Sequence, residues 1–210
     1  MINHNLIVVD DFFEDPYFFR NLGISQLHQT YGEQILGNPI LNDENETHPG
    51  FRVDINPELC ECVVDKVCKI IDDSIRIGLI FYVASSVHKC GLIHNDTSKI
   101  AGVIYLNENP PEDSGTVLYD QIKEYSEEES DEMDTEYKKS TLTQDLNEIE
   151  KFNIFKKEYN EMHYKPDCIV QNKFNRCILY NGTRWHGAHN YFGDTIFDSR
   201  LVIAFQGDII

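Results

Sequence analysis

Apolar and polar positions in the first 51 residues predict a strand, a helix and then an irregular segment. The apolar run at residues 6–9 is typical of a short strand. Asp15 and Pro16 follow in the order of an N-cap residue and a first-turn proline, which predicts a helix running toward His28. Residues 31–51 contain many Gly, Asn and Pro residues, so we expect irregular structure there.

A second helix is predicted from Asn56 and Pro57 onward. Apolar residues then recur at spacings of three and four, which places them along one face of a helix. This face would pack against a sheet, because most of the chain that follows has the pattern of strands. The stripe consists of Leu59, Val63, Val67, Ile70 and Ile71.

Short apolar runs separated by turn residues occupy the rest of the chain. Such runs are typical of strands in a sandwich or barrel. They lie at residues 79–87, 99–106, 116–119, 168–170, 176–180 and 201–205. We therefore predict a mainly β fold with supporting helices, of the α+β class, in one domain spanning residues 1–210. Residues 1–78 would form the supporting strand and helices, and residues 79–210 the β core.

An acidic insertion interrupts the predicted strands at about residues 124–166. The run from Glu124 to Glu136 contains eight acidic residues and no Lys or Arg. Like charges at this density favour a solvated, mobile loop, and the alternatives are a calcium site, a lid or a docking element for a basic partner. A short amphipathic helix could follow the run, formed by Leu142, Leu146, Ile149 and Phe152.

The net charge and the cysteine content argue against nucleic-acid binding and against a disulfide scaffold. The net charge of -18 opposes binding to duplex nucleic acid, which depends on Lys and Arg displacing counterions. Six cysteines without a CxxC spacing are too sparse for a disulfide scaffold, so we expect free thiols. No segment reaches the ~20 apolar residues that a membrane span needs. We expect a soluble, cytoplasmic protein.

A candidate metal site begins with His94 and Asp96. Residues two apart in a strand project from the same face, so this pair can offer an imidazole nitrogen and a carboxylate oxygen to one ion. The motif is weak alone, but His186 follows the predicted strand at 176–180 and an Asn-Gly turn. Two histidines and a carboxylate that leave coordination positions open are typical of non-haem Fe(II) oxygenases.

Arg200 places a cation at the head of the apolar run 201–205. By alternation it shares a face with Val202 and Ala204, and this face of smaller side chains could line a pocket. A guanidinium in such a position would need an anionic partner, because a buried unpaired cation is unfavourable.

His88 and His189 lie close in sequence to the proposed metal ligands. His189 competes with His186 for the role of distal ligand, but it lies further from the preceding strand and could instead contact substrate. His88 precedes the motif by six residues, and Gly91 makes a bend between them. We therefore expect His88 to be a structural histidine.

The order of the site residues resembles the Fe(II)/2-oxoglutarate-dependent dioxygenase superfamily, and more closely its prolyl 4-hydroxylase-like branch with small bacterial and viral members. The resemblance rests on His94-x-Asp96, then Trp185-His186, then Arg200, and covers roughly residues 79–210. Three further phrases fit this branch, namely Gly102-Val-Ile-Tyr-Leu-Asn107, Asn175-Arg-Cys-Ile-Leu-Tyr180 and Asn190-Tyr-Phe-Gly193.

The resemblance implies a double-stranded β-helix, a cupin-like jelly roll with a metal at its mouth. It implies that His94, Asp96 and His186 bind Fe(II) and that Arg200 binds the distal carboxylate of 2-oxoglutarate. The family often has Arg-x-Ser or Arg-x-Thr, whereas position 202 here is Val. Tyr105 is therefore the candidate for a second hydrogen bond to that carboxylate.

The implied activity is hydroxylation of a C–H bond, with O2 as cosubstrate and conversion of 2-oxoglutarate to succinate and CO2. The substrate would be a peptidyl residue, a free amino acid or a small metabolite. Two alternatives are a catalytically silent jelly-roll binding module and a cupin-like metal enzyme that does not use 2-oxoglutarate. Arg200 argues against the second alternative, since nothing in that chemistry requires a buried cation.

Overall fold

The structure is a computed structural model that describes residues 6–43 and 48–210. Four α-helices and nine β-strands form within these residues, with two short 3-10 segments at Gly32–Leu36 and Ser86–His88. In chain order the elements are β1 (Leu6–Val9), α1 (Pro16–Tyr31), β2 (Phe51–Asp54), α2 (Pro57–Ile71), β3 (Ile75–Ala84), β4 (Ile100–Tyr105), β5 (Gly115–Gln121), α3 (Glu127–Thr141), α4 (Leu146–His163), β6 (Tyr164–Gln171), β7 (Cys177–Tyr180), β8 (Trp185–Ala188) and β9 (Arg200–Ile209).

The strands form two antiparallel sheets. The main sheet has six strands in the order β1-β7-β4-β9-β3-β2, and the small sheet has three in the order β6-β5-β8. Neighbouring strands are antiparallel in both sheets. The expectation of a mainly β fold with supporting helices is therefore confirmed.

Opposite faces of the main sheet belong to two hydrophobic clusters. On β9, Leu201, Ile203 and Phe205 lie in the first cluster, together with the buried side chains of α1 and α2. Val202 lies in the second cluster, which also contains Leu118 of the small sheet. This division follows the alternation of side chains along a strand. A cavity can therefore form on the side of the main sheet that faces the small sheet.

The N-terminal segment supplies more than a supporting layer. Both predicted helices begin where the sequence indicates, with the Asp15 side chain accepting a hydrogen bond from Phe18 N and the Asn56 side chain accepting one from Glu58 N. The segment also contributes both edge strands of the main sheet, since β1 pairs with β7 and β2 pairs with β3. We did not predict β2, which starts at the end of the region expected to be irregular.

The prediction of a solvated loop for the acidic run is wrong. Most of the run lies in α3, which begins at a capping box formed by Ser126 and Glu129. Acidic residues in the first turn and Lys138 and Lys139 in the last turn complement the helix dipole, so the charges favour the helix. Met133 is buried, and α3 packs against α4.

The helix expected after the acidic run exists but is longer than predicted. It is α4, with Ile149 and Phe152 buried, whereas Leu142 and Leu146 are exposed. The six cysteines are free, as expected. None of the helices in the described part of the chain combines the length and apolar character needed to cross a bilayer.

Candidate metal centre and its cavity

The side chains of His94, Asp96 and His186 converge at one end of a cavity. Nε2 of His94 lies 3.7 Å from Oδ1 of Asp96, and Nε2 of His186 lies 3.7 Å from Oδ2 of the same carboxylate. One possible ligand atom from each residue lies within 4.8 Å of the other two. Two donors on one ion lie up to about 4 Å apart when each bond is about 2 Å long. A small rotation of His94, whose side chain is 51% exposed, would bring all three within range.

Backbone pairing holds these three residues together. His94 and His186 form an isolated antiparallel bridge, in which His94 N donates to His186 O at 3.0 Å and His186 N donates to His94 O at 2.8 Å. Asp96 N donates to Gly182 O at 2.8 Å. A Cβ at Gly182 would lie 2.5 Å from Ser98 O, so this close approach requires glycine in the turn before β8.

Hydrogen bonds set both imidazoles in the orientation that metal binding requires. Nδ1 of His94 lies 3.0 Å from Leu92 O, and Nδ1 of His186 lies 2.8 Å from Arg184 O. A carbonyl oxygen can only accept, so each Nδ1 carries the proton and donates it. Each Nε2 then keeps its lone pair and faces Asp96. Histidines that bind metals commonly donate their other ring N–H in this way.

The electrostatics of the cluster favour the neutral form of His186. Burial, together with the charge of His94, lowers the pKa of His186 to about 3. Burial raises the pKa of Asp96, and His94 partly opposes this shift. Neutral imidazole is the form that binds metals, and a divalent cation would favour the ionised form of Asp96. The three donors therefore fit Fe(II), the metal that this donor set typically binds.

The cavity between the two sheets has a volume of about 550 Å³, which suits small-molecule ligands. The small-residue face of β9 lines it as expected, through Arg200, Val202 and Ala204. The three metal-site residues line it as well, so the cluster and Arg200 face a common space.

Arg200 is a buried cation without an anionic partner in the described part of the chain. Its exposed fraction is 3%, and its Nε forms no hydrogen bond with the residues described. None of the ion pairs formed by residues 6–43 and 48–210 includes Arg200. Its guanidinium carbon lies 5.8 Å from the ring centroids of Tyr105 and Tyr191. The aromatic rings compensate the charge only in part, so an anion beside Arg200 would be stabilised.

Tyr105 lies next to the Arg200 guanidinium. It is fully buried, and its hydroxyl donates to Thr116 Oγ1 at 2.8 Å. Thr116 itself lines the cavity. Thr116 therefore lies between the Tyr105 hydroxyl and the cavity.

His189 and His88 both lie outside the cluster of metal-site residues. His189 is not part of the cluster found among the described residues; its backbone N donates to Gly115 O at 3.1 Å. His88 is buried, and burial together with the charge of Lys156 lowers its pKa to about 3. The geometry therefore brings His186, and not His189, to His94 and Asp96.

Two residues that line the cavity were missed by the sequence analysis, namely Arg52 on β2 and Tyr137 on α3. Alternation in residues 51–54, where Phe and Val alternate with Arg and Asp, is the signal that could have found Arg52. No comparable signal existed for Tyr137, because the acidic run was interpreted as a loop. His48 is half-buried and also lines the cavity.

A sequence model of a protein family matches residues 84–191, just over half of the chain, including all three metal-site residues. That family is described as a family of unknown function, DUF6445. The chain belongs to this family. A search of curated proteins found no match for this DUF6445 member.

Solved structures with a similar fold include prolyl hydroxylases. A prolyl hydroxylase from Trichoplax adhaerens, solved with a peptide fragment of the hypoxia inducible factor oxygen degradation domain, has a TM-score of 0.54 and 11% identity, and the match covers 98% of this chain and 84% of that chain. A prolyl-4-hydroxylase from Pseudomonas putida has a TM-score of 0.51 and 12% identity, and the match covers 98% of this chain and 92% of that chain. HygX from Streptomyces hygroscopicus was solved with nickel and 2-oxoglutarate bound. It has a TM-score of 0.54 and 12% identity, and the match covers 96% of this chain and 81% of that chain.

At these identities the likeness establishes the fold and not the activity. This DUF6445 member has the fold of 2-oxoglutarate-dependent oxygenases.

Proposed function

We propose that this protein is an Fe(II)- and 2-oxoglutarate-dependent oxygenase with a jelly-roll core, which hydroxylates a C–H bond of an amino acid, a peptidyl residue or a small metabolite. One observation carries the proposal. The cluster of His94, Asp96 and His186 lines the same cavity as the buried Arg200, which forms no ion pair with the described residues. A binding site for a small dicarboxylate beside a metal needs both parts.

His94, Asp96 and His186 would hold the iron. Each imidazole is already oriented by its Nδ1 hydrogen bond, and the single carboxylate leaves the ion with positive charge. Three protein ligands leave open coordination positions for other groups. Iron bound there would supply activation of O2 coupled to the conversion of 2-oxoglutarate to succinate and CO2, with one oxygen atom inserted into the substrate C–H bond.

Arg200 would bind the distal carboxylate of 2-oxoglutarate. Its guanidinium offers two parallel N–H donors to a carboxylate, and the buried setting strengthens that ion pair. The hydroxyl of Thr116 would assist, taking the place of the hydroxyl that Val202 lacks. Tyr105 would act by donating to Thr116, which fixes the orientation of that hydroxyl.

The site also limits access of water to the reacting atoms. Val202 and Ala204 give the cavity an apolar wall beside Arg200. Tyr82 and Tyr191 add a buried hydroxyl pair with an O–O distance of 2.9 Å on the same side. Exclusion of water strengthens the electrostatic interactions that orient the bound acid.

Succinate formation tests the proposal directly. Purified protein is incubated with Fe(II), ascorbate, 2-oxoglutarate and O2, and succinate is measured by mass spectrometry. We expect iron-dependent succinate formation that Asp96→Ala abolishes, together with the loss of Fe(II) binding. The matched control is Asp120→Ala, at an exposed carboxylate on β5, which should leave both unchanged.

Three results would count against the proposal. Fe(II) affinity that is unaffected by Asp96→Ala would remove the metal site assigned here. Iron binding without 2-oxoglutarate binding would instead favour a cupin-like metal enzyme. Binding of both without turnover of any substrate would favour a silent binding module.

A further inference from the structure

Arg52 places a second guanidinium in the cavity. It lies on β2 opposite Tyr82 of β3, and Tyr82 lies opposite Val202 of β9. Residues directly opposite one another in antiparallel strands project from the same face of a sheet. Arg52 is therefore on the face that carries Val202, and it lines the cavity together with it.

The Arg52 guanidinium lies over the Tyr82 ring and has no anionic partner among residues 6–43 and 48–210. Its carbon lies 4.7 Å from the ring centroid of Tyr82, and its Nε is enclosed without a hydrogen bond to any described residue. None of the ion pairs formed within residues 6–43 and 48–210 includes Arg52, although Asp54 lies on the same face of β2. An oriented cation with free donors, facing a cavity, fits a carboxylate.

Tyr137 supplies a neutral donor beside Arg52. It reaches the cavity from α3, so the helix that the sequence analysis missed covers this end of the site. Burial and the neighbouring Tyr82 raise the pKa of Tyr137, while Arg52 partly lowers it. The phenol therefore keeps its proton at neutral pH and can donate to an anion that Arg52 binds.

Arg52 and Arg200 extend into the cavity from backbone positions on different strands. Arg52 lies two strands away from β9, and neighbouring strands are about 4.8 Å apart, which gives roughly 10 Å across the sheet. Arg200 lies a further two residues along β9, opposite Ala84. A dicarboxylate held between Arg200 and the metal site would leave Arg52 free for a second acid.

We propose that Arg52, assisted by Tyr137, binds a carboxylate of the substrate, and that the substrate class is therefore a carboxylic acid. This inference rests on the proposed function, because it assigns Arg200 to 2-oxoglutarate. The carboxylate could be that of a free amino acid or the terminal carboxylate of a short peptide. Both sources present the same planar group to the guanidinium.

A paired panel of compounds tests the inference. The panel contains free L-amino acids and short peptides with a free C-terminus, each beside its primary amide. Wild-type protein with Fe(II), 2-oxoglutarate and O2 is assayed for succinate and for a product 16 mass units heavier. We expect at least one acid to raise succinate formation and yield the heavier product, and its amide to do so at least tenfold less well. The amino-acid and peptide arms identify the source of the carboxylate.

Variants connect that preference to Arg52. Arg52→Gln should raise the KM for the acid at least tenfold and remove the preference for acid over amide, whereas Arg52→Lys should keep part of it. Binding of 2-oxoglutarate should be unchanged in both variants. Arg76→Gln is the matched control, at an exposed arginine of β3 that does not line the cavity, and should behave as wild type.

The outcomes separate this inference from the proposed function. If wild-type protein neither binds nor consumes 2-oxoglutarate, the proposed function fails and the inference fails with it. If 2-oxoglutarate is consumed but no acid in the panel surpasses its amide, or if Arg52→Gln retains the preference, only the inference is overturned.

Discussion

The two faces of the main sheet are built from the same strands but contact different partners. One face packs Leu201, Ile203 and Phe205 into a hydrophobic cluster with the helices. The opposite face carries Arg52 and Arg200 toward a cavity, and both have an Nε without a hydrogen-bond partner among the described residues.

The two faces therefore place different requirements on their residues, packing on one face and ligand binding on the other. On the core face, packing determines which residues are tolerated, so substitutions change the free energy of unfolding. On the cavity face, the polar groups are placed for ligands, so substitutions should change binding and leave folding nearly unaffected. Neighbouring residues on β9 allow this distinction to be tested within one strand.

The largest effect is expected from Ile203→Ala. Ile203 is fully buried, and its truncation should lower the free energy of unfolding by about 2–5 kcal/mol. Val202→Ala, one residue away but facing the cavity, should lower it by about 1 kcal/mol. Denaturant unfolding of both variants measures the difference. Equal losses would mean that the two faces are packed alike.

Arg200→Gln should weaken 2-oxoglutarate binding without lowering the free energy of unfolding. Loss of the guanidinium should weaken 2-oxoglutarate binding by about 2–5 kcal/mol, which is at least about thirtyfold. The free energy of unfolding should stay the same or rise, since a buried unpaired cation is removed. Calorimetric titration and denaturant unfolding report the two quantities. Strong destabilisation without loss of affinity would place Arg200 among the structural residues.

His88 gives a third comparison, because it is buried but does not line the cavity. Burial and Lys156 lower its pKa from 6.5 to about 3 in the folded protein. Between these pH values the unfolded chain binds a proton at His88 and the folded protein does not, so stability falls as pH falls. The contribution is about 1.4 kcal/mol for each pH unit at most.

Unfolding measured from pH 7 to pH 4 checks this expectation. His88→Asn removes the titrating group, so its stability should decline less steeply on acidification than that of wild type. Parallel pH profiles would show that His88 titrates normally in the folded protein.

The smallest effect is expected from Tyr105→Phe. The substitution removes the hydrogen bond to Thr116 while keeping the ring next to Arg200. Affinity for 2-oxoglutarate should fall by about 0.5–1.5 kcal/mol, or roughly two- to tenfold. A loss as large as that of Arg200→Gln would instead indicate direct contact between Tyr105 and the carboxylate.

Sequence patterns predicted the structure best where an element has one consistent local signal. Alternation in β9 correctly divided Leu201 and Ile203 from Val202 and Ala204, because the period of a strand is a local property. Caps at Asp15 and Asn56 marked two helix starts for the same reason. The meeting of His94 with His186 depended on pairing across the fold, and spacing alone could not determine it.

Elements with conflicting local signals were missed. Charge density in residues 124–136 suggested a loop, but the capping box at Ser126 and the distribution of charge along α3 favour a helix. β2 has four residues and follows a segment rich in turn residues. Arg52 and Tyr137 were overlooked because they lie on these two elements.

Anaerobic titration of the Fe(II)-loaded protein with 2-oxoglutarate tests the central claim most directly. The claim is that His94, Asp96, His186 and Arg200 form one site. We predict a visible absorption band that appears when 2-oxoglutarate binds the iron-loaded protein, with one 2-oxoglutarate per iron at saturation. The band should be absent in Asp96→Ala and should require at least thirtyfold more 2-oxoglutarate in Arg200→Gln. Fe(II) binding without this band, or an identical titration curve for Arg200→Gln, would contradict it.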